Sequence, residues 1–352
     1  MTERAGSSVF CILPLRLYAL QAGSRHEYDL GLPRVRARTT TTVGKKGNSF
    51  LVSRLRALVS PNPLARTSRQ RLFLRVLLYG GAVFVGLPLA FSFVMTRTYR
   101  TPVSTYPSPG YKKVQLISEG LKLRAWLYRG DPDRPGFIVV HGLGDNLESY
   151  QEHARPFIER GHTVLLPDLR GHGGSESKHT TLGGRESEDV RTAMAYLRSE
   201  KLADDGIVLM GHSMGSVAVL LAAAGETDVC AVIVEAPYDT YRNTIAHHAR
   251  LLYGLPSWVP IIPLSIKMAE WRAGFDADAI DAVAAARRIR APLLAIVDGN
   301  DERMPERIVR RIVDAHPGPK KLWVVPGAEH VGAILHPDWK EVVLGFLEAN
   351  GI

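Results

Sequence analysis

From residue 111 to the end, short unbroken apolar runs alternate with longer stretches whose apolar residues recur at helical spacing. The runs Phe137–Val140, Thr163–Leu166, Ile207–Met210, Ala231–Val234, Leu293–Val297 and Leu322–Val325 have the length of strands. Runs apolar on every position suit strands covered on both faces, as in a parallel sheet. Between them the spacing predicts helices at about Asn146–Arg160, Gly184–Ser199, Met214–Ala224, Glu306–Ala315 and Pro337–Asn350. Lys113–Ser118 and Leu121–Tyr128 meet at Glu119-Gly120 and read as an opening hairpin. The pattern predicts an α/β domain, a mostly parallel eight-stranded sheet with helices on both faces. About 240 residues suffice for one large core, so no second globular domain is required.

One strand-to-helix junction stands out. Gly206–Met210 reads as a strand, Ser216–Ala224 as a helix, and Gly211-His212-Ser213-Met214-Gly215 joins them. A G-x-S-x-G pentapeptide alone is common. Set between a strand and a helix, it has the context of a nucleophile elbow. The tight turn forces Ser213 into a strained backbone, and only residues without bulk fit two positions either side. The helix N-terminus behind the hydroxyl favours a developing anion.

A serine needs a base, an orienting acid and an oxyanion site. The strand Leu293–Val297 runs into Asp298-Gly299-Asn300-Asp301-Glu302, where two aspartates compete for the acid's place. Lys321–Val325 runs into Pro326-Gly327-Ala328-Glu329-His330, which presents His330 as the base, with His336 in reserve. The oxyanion donors are expected to be the backbone N–H of Met214 and that of Leu143, in the loop after Gly136–Val140. His141, at the foot of that loop, is expected to hold the turn.

These motifs resemble those of the α/β-hydrolase superfamily. The resemblance rests on His141-Gly142-Leu143-Gly144, Asp168–Ser175, the elbow, Asp301–Pro305 and Gly327–His330, in that order over about 240 residues. It is similar to the branch with monoacylglycerol lipases, BEM46-like membrane hydrolases and proline-iminopeptidase-type serine peptidases. The resemblance implies an α/β-hydrolase fold and makes Asp301, four residues before Pro305, the acid. The family's glycine normally lies three residues before that aspartate, whereas Gly299 lies two before it, so Asp298 stays open. Ser216 stands where the pattern often has a second glycine.

A stretch from about Asp239 to Ala279 interrupts the alternation. It is apolar and proline-punctuated at Leu251–Leu264, and in this family its place is that of a helical lid. An apolar lid suits an acyl or alkyl group, although such residues also pack a lid to a core. His247-His248 read as solvated lid residues. No H-E-x-x-H or Cys/His spacing calls for a metal, and the glycines of Asp168–Ser175 lack a phosphate-loop pattern. No cofactor is expected. The expected activity is cleavage of a carboxylic ester, lipid or small molecule, through Ser213, His330 and Asp301. A peptidase or amidase is the alternative, and would draw a lid carboxylate, Glu270 or Asp276, toward a substrate amine. A catalytically silent binding protein is the third reading.

The N-terminal quarter differs. Val76–Met95 is twenty residues without a charge, flanked by Arg69, Arg71 and Arg75 and by Arg97 and Arg100. That length crosses a bilayer, and its Pro88 and glycines are tolerated there. The expected division is a basic, disordered tail (1–71), one transmembrane helix (72–96), a linker (97–110) and the hydrolase domain (111–352). Residues 1–75 hold 14 Lys and Arg against 3 Asp and Glu, a net +11, so the remainder carries −2 of the chain's +9. The basic character belongs to the tail. It fits a cytoplasmic juxtamembrane segment with the domain on the far side, and is weak support for nucleic-acid binding, which is not expected. Cys11 and Cys230 fall in different regions and suggest no disulfide framework.

Overall fold

The computed structural model describes residues 68–352 apart from 102, 105 and 106; most of the basic tail lies outside them. The sheet has eight strands: β1 (Tyr111–Ser118), β2 (Leu121–Tyr128), β3 (Gly136–Val140), β4 (Val164–Pro167), β5 (Ile207–His212), β6 (Val229–Glu235), β7 (Leu293–Asp298) and β8 (Lys320–Val325). Their spatial order is β1-β2-β4-β3-β5-β6-β7-β8. The hairpin pair and β2/β4 are antiparallel, and every other pairing is parallel. This is the mostly parallel eight-stranded sheet that the alternation predicts, in the α/β-hydrolase architecture that the resemblance implies.

Successive residues of the central strands serve opposite faces, as the pleat requires. Ile138, Val140, Leu209, Val232 and Ala295 join one apolar cluster, and Phe137, Val139, Met210, Ile233 and Ile296 join the other. Along the chain the helices are α1 (Ser68–Met95), α2 (Gln151–Ile158), α3 (Glu186–Ser199), α4 (Met214–Ala223), α5 (Tyr241–Tyr253), α6 (Ile261–Ala273), α7 (Ala282–Ala286), α8 (Glu306–Ala315) and α9 (Trp339–Ala349). Helices α3, α4, α7 and α8 supply the first cluster; α2 and α9 supply the second.

Several element ends differ from the sequence expectation for local reasons. The first strand begins at Tyr111 rather than Lys113. The helix expected over Asn146–Arg160 is split into a tight 3₁₀ turn, Leu147–Tyr150, and α2. Asn146 caps the turn by accepting the Glu148 N–H, and Gly161, at φ +82°, follows the end of α2. Helix α3 starts at Glu186, not Gly184, because the Glu186 carboxylate receives the N–H groups of Thr181 and Gly183. Helix α9 starts at Trp339, not Pro337.

Asp168 is fully buried behind β4 and accepts from Arg124, Leu147 N–H and Gly174 N–H. A Cβ on Gly173 would fall 2.3 Å from its carboxylate, which explains the glycines there as packing. Between β6 and β7 stand α5 and α6. An antiparallel bridge between Thr240 and Asp281 closes the base of this insertion.

The chain divides into two compact units with their boundary inside α1, and Phe84 onward belongs with the sheet. Helix α1 has 28 residues and is, by length and composition, able to cross a membrane. Within the sheet's unit, Phe91 packs edge-on against Tyr253 of α5, with ring centres 5.6 Å apart. The Arg272 guanidinium of α6 lies 3.3 Å from the ring centre of Phe93 and donates to Thr96 Oγ1. Beyond the helix, Tyr99 N–H donates to Gly171 O at 2.8 Å, and its ring stacks on His172.

Candidate active site

Ser213 is the hinge between β5 and α4, with φ 51° and ψ −115°, a conformation that side chains rarely adopt. The flanking glycines are a packing necessity. A Cβ on Gly211 would sit 2.5 Å from Gly215 O, and one on Gly215 would sit 2.5 Å from His141 O. Ser216, in place of that second glycine of the pattern, has its own use: its hydroxyl contacts Gly211 O and Glu235 O and accepts the Glu235 N–H.

Three side chains converge from three loops at the carboxyl ends of the strands. His330 Nε2 lies 2.9 Å from Ser213 Oγ, and His330 Nδ1 lies 2.5 Å from Asp301 Oδ2. The other Asp301 oxygen accepts the N–H groups of Arg303 and Met304. Burial alone would raise the Asp301 carboxyl. The hydrogen bond from His330, that residue's charge and the two backbone N–H groups hold it below the usual carboxylate range. This arrangement can relay a proton from a hydroxyl to an imidazole whose far side is fixed.

Asp298, the other contender for the acid, takes a different place. It accepts the N–H of Val331 at 2.8 Å and of Gly332 at 3.3 Å, and so holds the loop beyond His330. His336 stands at the end of a 3₁₀ turn beside Trp323 and Asp338. Leu143 lines the cavity with Ser213, and Met214 opens α4, whose first N–H groups have no acceptor within the helix. His141 holds its loop: Nδ1–H donates to Gly142 O, and Nε2 accepts the Leu169 N–H. His247 and His248 are half-buried rather than freely solvated. His247 reaches Glu302 O on the acid's loop, and burial lowers the His248 pKa to about 4.

A cavity of 1480 Å³ opens over Ser213, larger than most small-molecule sites. Leu251 and Leu252 of α5 form one apolar wall, and Ile334 and Leu335 belong to another; Asp145, Glu302 and Glu329 are among its polar residues. The lid carboxylates singled out from the sequence lie elsewhere. Glu270 pairs with Arg242 and Lys267, Asp276 caps a turn at Asp278, and neither lines the cavity.

A buried polar group behind Ser213 was not singled out from the sequence. Glu235 ends β6 and accepts from His212 Nδ1 at 2.8 Å, next to His153. An acid closing an apolar strand at its carboxyl end was the available signal, since open α/β sheets build their sites there. His153, His212 and Glu235 hold potential metal-ligand atoms within 4.8 Å of one another, although the Glu235 oxygens already serve His212 and the Ala333 N–H.

The profile of the serine aminopeptidase S33 family matches residues 132–268, which include Ser213 but stop short of Asp301 and His330. The uncharacterized Bacillus subtilis protein YqkD is 29% identical over 201 residues, 56% of this chain and 66% of that protein. The Acinetobacter baumannii quorum-quenching protein AidA is 33% identical over 140 residues, 38% of this chain and 46% of that one. The chain therefore spans about two thirds of the first relative and under half of the second. Among solved structures, a Pyrococcus furiosus esterase superposes with a TM-score of 0.56 at 25% identity, covering 72% of this chain and 98% of the esterase. The chain has the α/β-hydrolase fold and is similar to the serine aminopeptidase S33 family over residues 132–268.

Proposed function

We propose that this protein is a serine hydrolase that cleaves carboxylic esters of lipophilic acyl groups and is anchored to a membrane by α1. The observation that carries the reading is the hydrogen-bonded line from Ser213 through His330 to Asp301, set on a strained elbow at the cavity. Ser213 attacks the ester carbonyl while His330 Nε2 takes the hydroxyl proton. Asp301 fixes the imidazole tautomer and stabilises the imidazolium. The N–H groups of Leu143 and Met214 receive the oxyanion. The imidazolium protonates the departing alcohol, and water activated by His330 then releases the acid. The likeness to a Pyrococcus esterase supports an ester in preference to an amide, as does the distance of Glu270 and Asp276 from the cavity lining.

The apolar wall at Leu251 and Leu252 favours an acyl chain. These two residues and Tyr253 are exposed at the end of α5, where Phe91 of α1 packs. Trp258 and Trp271, at 79% and 82% exposure, add aromatic surface of the kind that settles at a membrane interface. On this reading the lid lies at the membrane surface, and the substrate is an amphiphile. Turnover of p-nitrophenyl esters of graded chain length by the full chain tests it. Rates that rise from the acetyl to a medium or long acyl group are expected, and a preference for acetate or for amides would count against it.

A further inference from the structure

We infer that Glu235 is a positioning residue for this reaction, its carboxylate together with that of Asp298 locking the loop that carries His330 onto the nucleophile elbow. The inference rests on the reading of His330 as the base. The three backbone N–H groups that follow His330 all end on these two acids. Val331 and Gly332 donate to Asp298, and Ala333 donates to Glu235 Oε1 at 3.0 Å. The other Glu235 oxygen accepts from Nδ1 of His212, the residue before Ser213. The backbone of Glu235 completes the tie: its carbonyl accepts the Ser213 N–H at 2.8 Å, and its N–H donates to Ser216 Oγ. One residue therefore holds the nucleophile from one side and the base's loop from the other.

Backbone strain collects at the same joints. Among the described residues six that are not glycine have positive φ, and three of them are Ser213, Ala236 next to Glu235, and Val331 next to His330. Such conformations persist only where the surroundings over-determine them, and the hydrogen bonds to Glu235 and Asp298 do so here. The acid is also costly where it stands. Glu235 is fully buried, where an apolar side chain would continue β6 at no desolvation cost. Burial raises the carboxyl of Glu235 to about 7 and that of Asp298 to about 8.

The test uses the full chain with p-nitrophenyl butyrate, and compares Glu235→Leu and Glu235→Gln with wild type and Ser213→Ala. Glu235→Leu removes the acceptor while filling the space, and leaves His212 Nδ1 and the Ala333 N–H without a partner. A small misplacement of a reacting group costs about 100-fold. That loss is expected in kcat and in the fluorophosphonate labelling rate, with KM changed less than about threefold on the same grounds. The downfield proton resonance of His330 Nδ1 is expected to vanish, a change that a merely structural acid would not produce. Glu235→Gln keeps an oxygen for the Ala333 N–H and is expected to restore the resonance and most of kcat. If Glu235→Leu does not fold, Glu235→Asp, which retracts the acceptor by one methylene, is read in the same way. Wild-type kcat and an intact resonance in Glu235→Leu would overturn the inference, as would a Gln variant no better than the Leu variant. Zinc retained at one per chain through chelation would overturn it too, by making His153, His212 and Glu235 ligands. Turnover surviving Ser213→Ala would instead bring down the underlying reading of the site.

Discussion

His212 and Glu235 face each other across β5 and β6 as register partners, and their side chains meet at 2.8 Å directly behind the strained Ser213. Ser213 therefore stands on a polar foundation at the ends of two apolar central strands. That foundation is set by strand register, the same feature that brings Ser213 and His330 together across 117 positions of chain.

Ser213→Ala is expected to abolish ester turnover and covalent phosphonate labelling with the fold retained. Residues that act as a unit lose nearly all of their rate enhancement together, of order 10⁶ in the best-studied hydrolase. Circular dichroism should be unchanged. Retention of more than about a hundredth of wild-type kcat would not be compatible with that scale.

Asp301→Asn is expected to cost about 10⁴ in kcat by presenting an amide to the imidazole and favouring the wrong tautomer. Asp298→Asn keeps an oxygen for the Val331 and Gly332 N–H groups and is expected to be far milder. Steady-state kinetics of the two variants side by side decides between them; a reversed order would make Asp298 the acid.

Acid is expected to destabilise the fold below neutral pH. Burial lowers the pKa of His172 and His212 to about 3 and of His248 to about 4, and places His153 well below its ordinary value. Unfolded, each gains a proton as pH falls through about 6.5; folded, none does until much lower. Their contribution is thus complete above pH 6.5 and is lost on acidification. Glu235 and Asp298 act in the opposite sense, because their raised folded pKa values keep protons that the unfolded chain gives up above about 4.5. His162, His179 and His316 are lowered by burial as well, and Asp189 is raised, so seven histidines against three carboxyls leave the unfolded state binding more protons between pH 6.5 and 5. Urea midpoints at pH 7, 6 and 5 should fall in order, and a rising midpoint would contradict the balance.

Membrane attachment is expected to resist both high salt and alkaline carbonate. Twenty uncharged residues insert in effect irreversibly, whereas contact through a basic tail is screened away. Protease added to intact spheroplasts should digest the domain beyond Arg100 and spare the tail, since Lys and Arg set orientation. Release by salt rules out the span; a protected domain rules out only the orientation.

The sheet and its order of motifs were legible because continuous apolar runs and a glycine-framed serine reflect constraints local in sequence. The two glycines of the elbow can be read from the need to avoid a Cβ, which the contacts at Gly211 and Gly215 bear out. Ser213 and His330 could be named from loops that follow strands and Asp301 from the family resemblance, and the structure brings those three side chains together. Asp298 and Asp301 could not be separated by spacing alone, because both lie at the end of β7 and a turn from Asp301 N–H to Asp298 O points them different ways. Glu235 was missed because its meaning depends on its partner across the sheet and on a loop 98 positions away. The contact of α1 with the lid was likewise invisible, since Phe91, Phe93 and Arg272 declare nothing at a distance.

The bridge between Thr240 and Asp281 brings the two ends of the lid insertion together where it leaves the sheet. Chain that leaves and returns at one point can be lengthened, shortened or exchanged with little demand on the sheet beneath it, since loop length adds only slowly to closure cost. On the proposed reading, substrate choice and chemical competence are in that sense inherited separately. Lineages that share the elbow and its buried acid are free to diverge in what they hydrolyse by rewriting the stretch between those two residues.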